Sequence, residues 1–124
     1  MTHTFPLRVY YEDTDFGGIV YYANYLKFIE RARSEWVREK GVDQVTMKAE
    51  GLVFAVRRVA ADYLSPARFD DELLVETTVS KSTGVRLTLT QGVKRAETLL
   101  FRAVVTIICM DETGAVTRLP ALFR

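Results

Sequence analysis

The stretch Asp13-Thr14-Asp15-Phe16-Gly17-Gly18-Ile19-Val20-Tyr21-Tyr22-Ala23-Asn24-Tyr25 leads straight into Leu26-Lys27-Phe28-Ile29-Glu30-Arg31-Ala32-Arg33-Ser34-Glu35-Trp36. Its second part has a helical period: Tyr25, Phe28, Ile29, Ala32 and Trp36 recur at three- and four-residue steps, while Lys27, Arg31, Arg38 and Glu39 fall mostly on other faces. The spacing predicts one long helix with a single buried stripe, capped by Asn24 and closing at Lys40 before Gly41. Upstream, Leu7 to Tyr11 is rich enough in β-branched and aromatic residues for a short strand, which Gly17-Gly18 must end.

Beyond the helix and a polar connection, four further runs read as strands: 52–64, 72–81, 85–94 and 99–110. Val85, Leu87 and Leu89 alternate with Arg86, Thr88 and Thr90, and Ser82-Thr83-Gly84 and Asp111-Glu112-Thr113-Gly114 mark turns. Consecutive strands with short turns imply an antiparallel meander. A sheet of about five strands with one long helix to cover a face is a two-layer α+β architecture. The 124 residues suit one domain, 1–124, with no linker or repeat.

Composition excludes several classes of function. Charged residues make up 27% of the chain and the net charge is +1 at pH 7, so no strong field favours nucleic acid or an acidic membrane surface. The chain has one histidine, His3, near its start, and one cysteine, Cys109, inside the apolar run Val104 to Met110. An intrachain disulfide is impossible, and a zinc site or a Ser–His–Asp or Cys–His system lacks its parts. Cys109 reads as a buried strand thiol. No stretch is long and apolar enough to span a bilayer, and the first residues lack a basic region followed by an apolar run, so the expectation is a cytoplasmic protein.

Catalysis, if present, therefore rests on carboxylates. Among the sixteen acidic residues, Asp15 stands out because it ends the first strand, precedes Gly17-Gly18 and lies just before the helix, whose first N–H groups can stabilise charge developing on an oxygen. Phe16, Ile19, Tyr21 and Tyr22 supply apolar surroundings. In an extended strand Asp13 shares a face with Asp15 and Tyr11, which makes it a rival together with Glu12. Glu35 reads as a surface ion-pair partner of Arg38 or Lys40, and Glu30 is the reserve catalytic carboxylate. Tyr21, Tyr22 and Tyr25 either line a pocket or fill the core.

The run Asp13 to Tyr25, followed by Phe28-Ile29-Glu30-Arg31-Ala32-Arg33, resembles the hotdog-fold acyl-CoA thioesterases of the hydroxybenzoyl-CoA type, most of all the bacterial Tol–Pal-associated ones. Asp62-Tyr63-Leu64-Ser65-Pro66-Ala67-Arg68-Phe69-Asp70-Asp71 extends the resemblance into the sheet. It implies a hotdog fold, with the helix wrapped by a curled antiparallel sheet, assembled as a homodimer with continuous sheets or as a homotetramer. It further implies hydrolysis of short-chain or aromatic acyl-CoA without metal or bound cofactor, coenzyme A being part of the substrate.

In that picture Asp15 acts on the thioester carbonyl as nucleophile or general base, the backbone N–H of Tyr22 holds the thioester oxygen, and Gly18, Ile19, Val20, Tyr21 and Tyr25 line the substrate site. Relatives of the Tol–Pal type often carry a histidine where this chain has Tyr22. They also place basic residues in the turn that here reads Ser82-Thr83-Gly84, leaving Lys81 and Arg86 on its flanks, with Arg57, Arg58, Lys94 and Arg95 as further cations for the coenzyme phosphates. An acyl carrier protein is a possible thioester partner, and a non-catalytic hotdog protein that binds acyl groups is the alternative reading.

Overall fold

Helix α1, Asn24–Glu39, buries Tyr25, Phe28, Ile29, Ala32, Trp36 and Val37, the stripe its periodicity predicts, in a computed structural model that describes residues 2–124. Ala23, not Asn24, occupies the capping position. The Asn24 side chain is drawn away to the carbonyl of Asp13, 2.9 Å distant, and so ties the helix to the loop before it. At the far end Gly41 adopts φ 88° and its N–H meets the Arg38 carbonyl at 2.9 Å, a left-handed stop that suits glycine.

The strands are β1 (Thr2–Arg8), β2 (Val53–Tyr63), β3 (Glu72–Ser82), β4 (Leu87–Arg95), β5 (Thr98–Met110) and the short β6 (Val116–Thr117). They form one antiparallel sheet in the order β1-β3-β4-β5-β2, with β6 paired to β5. The architecture is the expected α+β one, with six strands rather than about five. Only β3, β4 and β5 form the predicted meander, because β2 pairs with β5 and not with its successor in sequence. The connection 64–71 therefore carries the chain from one edge of the sheet back to the other side.

Two local expectations fail for identifiable reasons. The first strand stops at Arg8, and Tyr11–Asp13 is a 3₁₀ turn held by the Asp13 carboxylate, which accepts the Tyr10 N–H at 2.8 Å. Asp13 and Asp15 consequently do not share a strand face. The polar connection after α1 contains a six-residue helix, α2 (Gln44–Ala49), which buries only Met47 and starts from the Asp43 carboxylate accepting the Val45 N–H at 2.9 Å. With one buried residue it has no stripe to read.

α1 packs over β1, β3 and β4, where Phe28 and Ile29 join Val75, Leu89, Val93 and Phe101 in the core. A buried polar bridge crosses this layer. Gln91 on β4 donates through Nε2 to the Ile29 carbonyl and to the Thr77 hydroxyl, each at 2.9 Å, and its Oε1 accepts from Arg33 Nη1 at 3.0 Å. Both Gln91 and Thr77 are fully buried, and pairing them removes the cost of hiding polar groups.

The helix leaves the other half of that sheet face bare. Tyr63, Ala61, Val59, Val56 and Phe54 on β2 pair with Phe101, Ala103, Val105, Ile107 and Cys109 on β5, so they share the inner, buried side of the sheet. A bulge at Arg57 keeps the register on that face. Yet Val56, Val59 and Tyr63 are 49%, 41% and 48% exposed. An apolar stripe on an edge strand of eleven residues is surface that a further layer would normally cover.

Candidate active site

Asp15 sits in a tight turn between two short bridges, Thr14 with Val20 and Ile19 with Arg68. Its N–H reaches the Ile19 carbonyl at 2.9 Å, and its carbonyl accepts the Gly18 N–H at 3.0 Å. Gly18 turns the chain at φ 79°, a conformation that a side chain disfavours. The carboxylate is exposed. One of its oxygens, Oδ1, accepts the Gly17 N–H at 2.9 Å, and Oδ2 has no hydrogen-bond partner among the described residues.

The turn is docked on the segment that follows β2. Val20 donates its N–H to the Ala67 carbonyl at 2.8 Å, and the Tyr25 hydroxyl accepts the Ala67 N–H at 3.0 Å. Tyr25 is buried, stacked on Phe101 at 4.9 Å between ring centroids, and burial pushes its pKa up, so the phenol stays protonated. Tyr25 is thus both core and pocket wall. Asp13, half-buried, braces the same loop: its carbonyl accepts from the Tyr21 N–H at 2.9 Å as well as from Asn24.

Between the turn, the head of α1 and residues 63–66 lies a cavity of about 380 Å³, lined by Asp15, Ile19, Val20, Tyr21, Tyr22, Tyr25, Tyr63, Leu64, Ser65 and Pro66. None of the backbone N–H groups of Tyr22, Ala23 and Tyr25 has an acceptor among the described residues. The wall is mostly aromatic and aliphatic, with one carboxylate and unpaired helix-head donors at one end. Such a surface suits an apolar group attached to a carbonyl.

Of the sequence-derived site residues, Asp15, Ile19, Val20, Tyr21, Tyr22 and Tyr25 meet at this cavity. Gly18 shapes the turn without lining the cavity. Lys81 and Arg86 do not line it either. Lys81 stands nine residues along β3 from Glu72, about 30 Å at strand spacing, and Glu72 is the end of β3 that adjoins the Asp15 loop through Asp71 and Val9. Lys94 and Arg95 are engaged with Glu76 at 3.0 Å and Asp71 at 2.8 Å. Arg95 also donates to the carbonyl of Pro66, a lining residue, at 3.3 Å.

Glu35 pairs with Arg38 as expected, and Glu12 is exposed. Glu30 accepts from the Ser34 hydroxyl at 3.2 Å and borders a different cavity, so it does not assemble with Asp15 within one protomer. Cys109 is fully buried, as read from the sequence, and burial raises its thiol pKa. The residues that the sequence reading left out are Tyr63, Leu64, Ser65 and Pro66. They stand inside the segment Asp62–Asp71, whose resemblance was visible although its place against the Asp15 turn was not.

The model of the thioesterase-like superfamily matches residues 9–124. The acyl-CoA thioester hydrolase YbgC of Escherichia coli is 46% identical over 107 residues, 86% of this chain and 80% of the relative. The acyl-CoA thioesterase YbgC of Haemophilus influenzae is 46% identical over 109 residues, 87% of this chain and 80% of its own. Among solved structures, a probable thioesterase from Bartonella henselae superposes with a TM-score of 0.91 at 39% identity, covering 97% of this chain and all of that one (100%). A match across nearly the whole chain, together with a long helix packed on one antiparallel sheet, places this protein in the thioesterase-like superfamily with the hotdog fold.

Proposed function

We propose that the protein is an acyl-CoA thioester hydrolase in which Asp15 acts on the thioester carbonyl and the N–H of Tyr22 binds the carbonyl oxygen as it gains charge. The observation that carries this reading is the meeting of an exposed carboxylate and acceptor-free helix-head N–H groups at one apolar-walled cavity. The names of the two 46% identical relatives support the acyl-CoA substrate. Losing one oxyanion donor in other enzymes raises the barrier by about 2.7–4 kcal/mol, so a fixed main-chain donor here is a large part of the machinery.

Hydrolysis needs only water as co-reactant. Either Asp15 adds to the carbonyl carbon, expelling the coenzyme A thiolate and leaving a mixed anhydride that water then opens, or Asp15 takes a proton from the water that adds. In both routes the C–S bond breaks, the thiolate collects a proton and the acid is released. The apolar stripe on β2 suits an edge-to-edge homodimer, with that strand extending the sheet into a second copy. In such an assembly Lys81 and Arg86 of a neighbouring protomer are the cations available for the coenzyme phosphates, with Arg95 supplied locally.

The test is a panel of short-chain and aromatic acyl-CoAs with a thiol reporter, applied to wild type and Asp15→Asn. Asn preserves the shape of the turn and the bond to Gly17 while removing the charge. Loss of at least about a hundredfold in kcat with an unchanged melting temperature is expected. Equal, slow release by both proteins, or tight acyl-CoA binding without turnover by the wild type, overturns the catalytic claim. After single turnover in ¹⁸O-labelled water, label in the Asp15 carboxylate identifies the anhydride route with water opening it at the aspartyl carbon.

A further inference from the structure

Three short stretches of backbone meet beside the Asp15 turn and form a miniature sheet outside the main one. Thr14 bridges Val20 and Ile19 bridges Arg68, both antiparallel, and the Asp15 N–H bonds the Ile19 carbonyl at 2.9 Å, which sets Asp15 directly across from Ile19. Residues opposite one another in an antiparallel pair project to the same face. Asp15, Ile19 and Arg68 therefore make one cross-strand row, with Thr14, Val20 and Ala67 in the row behind it. Burial agrees: Val20 and Ala67 belong to the core, whereas Asp15 and Arg68 are exposed and Ile19 is half-buried. None of Asp15, Ile19 and Arg68 belongs to β2.

The Arg68 guanidinium has no ion-pair or hydrogen-bond partner among the described residues. The acids next to it in sequence are taken, Asp70 by Arg8 at 3.0 Å and Asp71 by Arg95 at 2.8 Å. Its backbone, by contrast, is held on both sides. The Arg68 N–H donates to Asp71 Oδ2 at 2.8 Å, and its carbonyl accepts the Asp71 N–H at 3.1 Å. The result is a free, forked cation rooted in fixed backbone, in line with the Asp15 carboxylate across one apolar side chain.

Its distance from Asp15 selects the part of a thioester that it meets. Two strand spacings separate the Asp15 and Arg68 backbones, about 10 Å, and an outstretched arginine adds about 6 Å. Asp15 and Ile19 line the cavity at the helix head and Arg68 does not, so the row leads from the cavity outwards. With the acyl group in the cavity and its carbonyl at Asp15, the thiol arm leaves along this row. In a pantetheine thioester the first anionic group beyond the sulfur is the 4′-phosphate. It stands about fourteen bonds from the carbonyl carbon, roughly five residues' worth of extended chain or about 16 Å. The two spans match, and the planar fork of an arginine binds a phosphate in two-point fashion.

We propose that Arg68 binds the 4′-phosphate of the pantetheine arm and makes the protein selective for phosphopantetheine thioesters. The placement of the arm rests on the hydrolase reading above; the contact between Arg68 and the phosphate is measurable without turnover. Coenzyme A and acyl carrier proteins present the same phosphate. Arg68 takes no part in bond breaking and is a specificity residue.

Two measurements test it. In the first, butyryl and benzoyl thioesters of pantetheine and of 4′-phosphopantetheine, which differ only in the phosphate, are compared as substrates of wild type, Arg68→Lys and Arg68→Met. The wild type should favour the phosphorylated arm by about tenfold in kcat/KM, and raising the salt to about 1 M should shrink that preference. Arg68→Met should lose it while keeping wild-type rates on the pantetheine thioesters, which a merely structural role for Arg68 would not produce, and Arg68→Lys should keep part of it. In the second, free pantetheine and 4′-phosphopantetheine are titrated into each protein by NMR. The wild type binds the phosphorylated arm more tightly, and Arg68→Met binds the two alike.

Butyryl-CoA and a butyryl carrier protein then separate the sources of the phosphate. Arg68→Met lowers kcat/KM on each that the wild type hydrolyses by the factor seen with phosphopantetheine, and the better substrate of the two is the source. A loss confined to the coenzyme A thioester moves the contact to the nucleotide phosphates and overturns the assignment. Equal handling of the two arms by wild type, as thioesters and as free thiols, overturns it whatever the stability of the variants. If 4′-phosphopantetheine binds through Arg68 but no thioester is hydrolysed, the phosphate site stands and the hydrolase reading falls. If both thioesters are hydrolysed at one rate and neither free arm is preferred, the phosphate site falls alone.

Discussion

The hydroxyl of Tyr63 donates a hydrogen bond to the backbone carbonyl of Tyr22 at 2.9 Å. This bond joins the end of β2 to the head of α1 through residues 41 apart in the chain, at the residue whose N–H is proposed to bind the thioester oxygen. The Tyr63 ring also packs against Phe101 at 5.0 Å and Tyr25 at 5.5 Å, and burial raises its pKa, so the hydroxyl remains a donor at neutral pH. Tyr63 thereby holds the Tyr22 peptide groups against the core.

Tyr63→Phe tests that role, because it removes the hydroxyl and keeps the ring. A neutral hydrogen bond contributes about 0.5–1.5 kcal/mol, so kcat should fall by up to about tenfold while KM stays nearly constant. Steady-state kinetics on an acyl-CoA substrate check it. A change in KM alone would mean that Tyr63 acts through substrate packing and not through the position of the Tyr22 backbone.

Replacing Gln91 by Leu removes the amide that links Ile29, Thr77 and Arg33. Leucine fits the volume but leaves the buried Thr77 hydroxyl and the half-buried guanidinium without their partner. A destabilisation of about 1–3 kcal/mol follows from orphaned buried polar groups, read as a lowered midpoint in urea unfolding. A Gln91→Leu protein as stable as wild type would show that the bridge contributes no net stability.

Much of this arrangement was legible in the sequence, and most of the parts that were not share one cause. The periodicity of Tyr25, Phe28, Ile29, Ala32 and Trp36 specified α1, and alternation specified β3 to β5, because both patterns record burial by a single neighbour. Asp15 was singled out from its place just before Gly17-Gly18 and the helix beyond them, and it lines the cavity at the helix head. Pairing of β2 with β5 was not, since strand order depends on contacts between distant residues and leaves no local period. The same holds for Tyr63 to Pro66, which reach the site only because that pairing sets the end of β2 beside α1. The failure at Asp13 is different: its side chain captured the Tyr10 N–H and bent the chain into a 3₁₀ turn, a competition that extended-strand reasoning ignores.

Cys109 offers a simple check of the core. It pairs with Phe54 on one side and Thr117 on the other, is fully buried, and has a thiol pKa raised by burial. The thiolate is the reactive form, so the native protein should resist a disulfide thiol reagent at pH 8 and react with one equivalent after unfolding. Rapid reaction in the folded state would require β5 to open far more readily than its central position allows.

The bare inner face of β2 gives the last prediction. Val59 is 41% exposed although it pairs with the fully buried Val105, so in one copy of the chain half of a core position faces water. A second copy that covers this stripe turns the exposed surface into buried apolar area, which stabilises association by about 25 cal/mol per Å² before the costs of assembly. Val59→Lys places a charge at the centre of that surface and should cost little within one protomer, where the side chain can reach solvent. Light scattering after size exclusion should therefore show a dimer or larger assembly for the wild type and a shift towards monomer for Val59→Lys. An unchanged assembly in the variant would exclude the inner face of β2 from the interface.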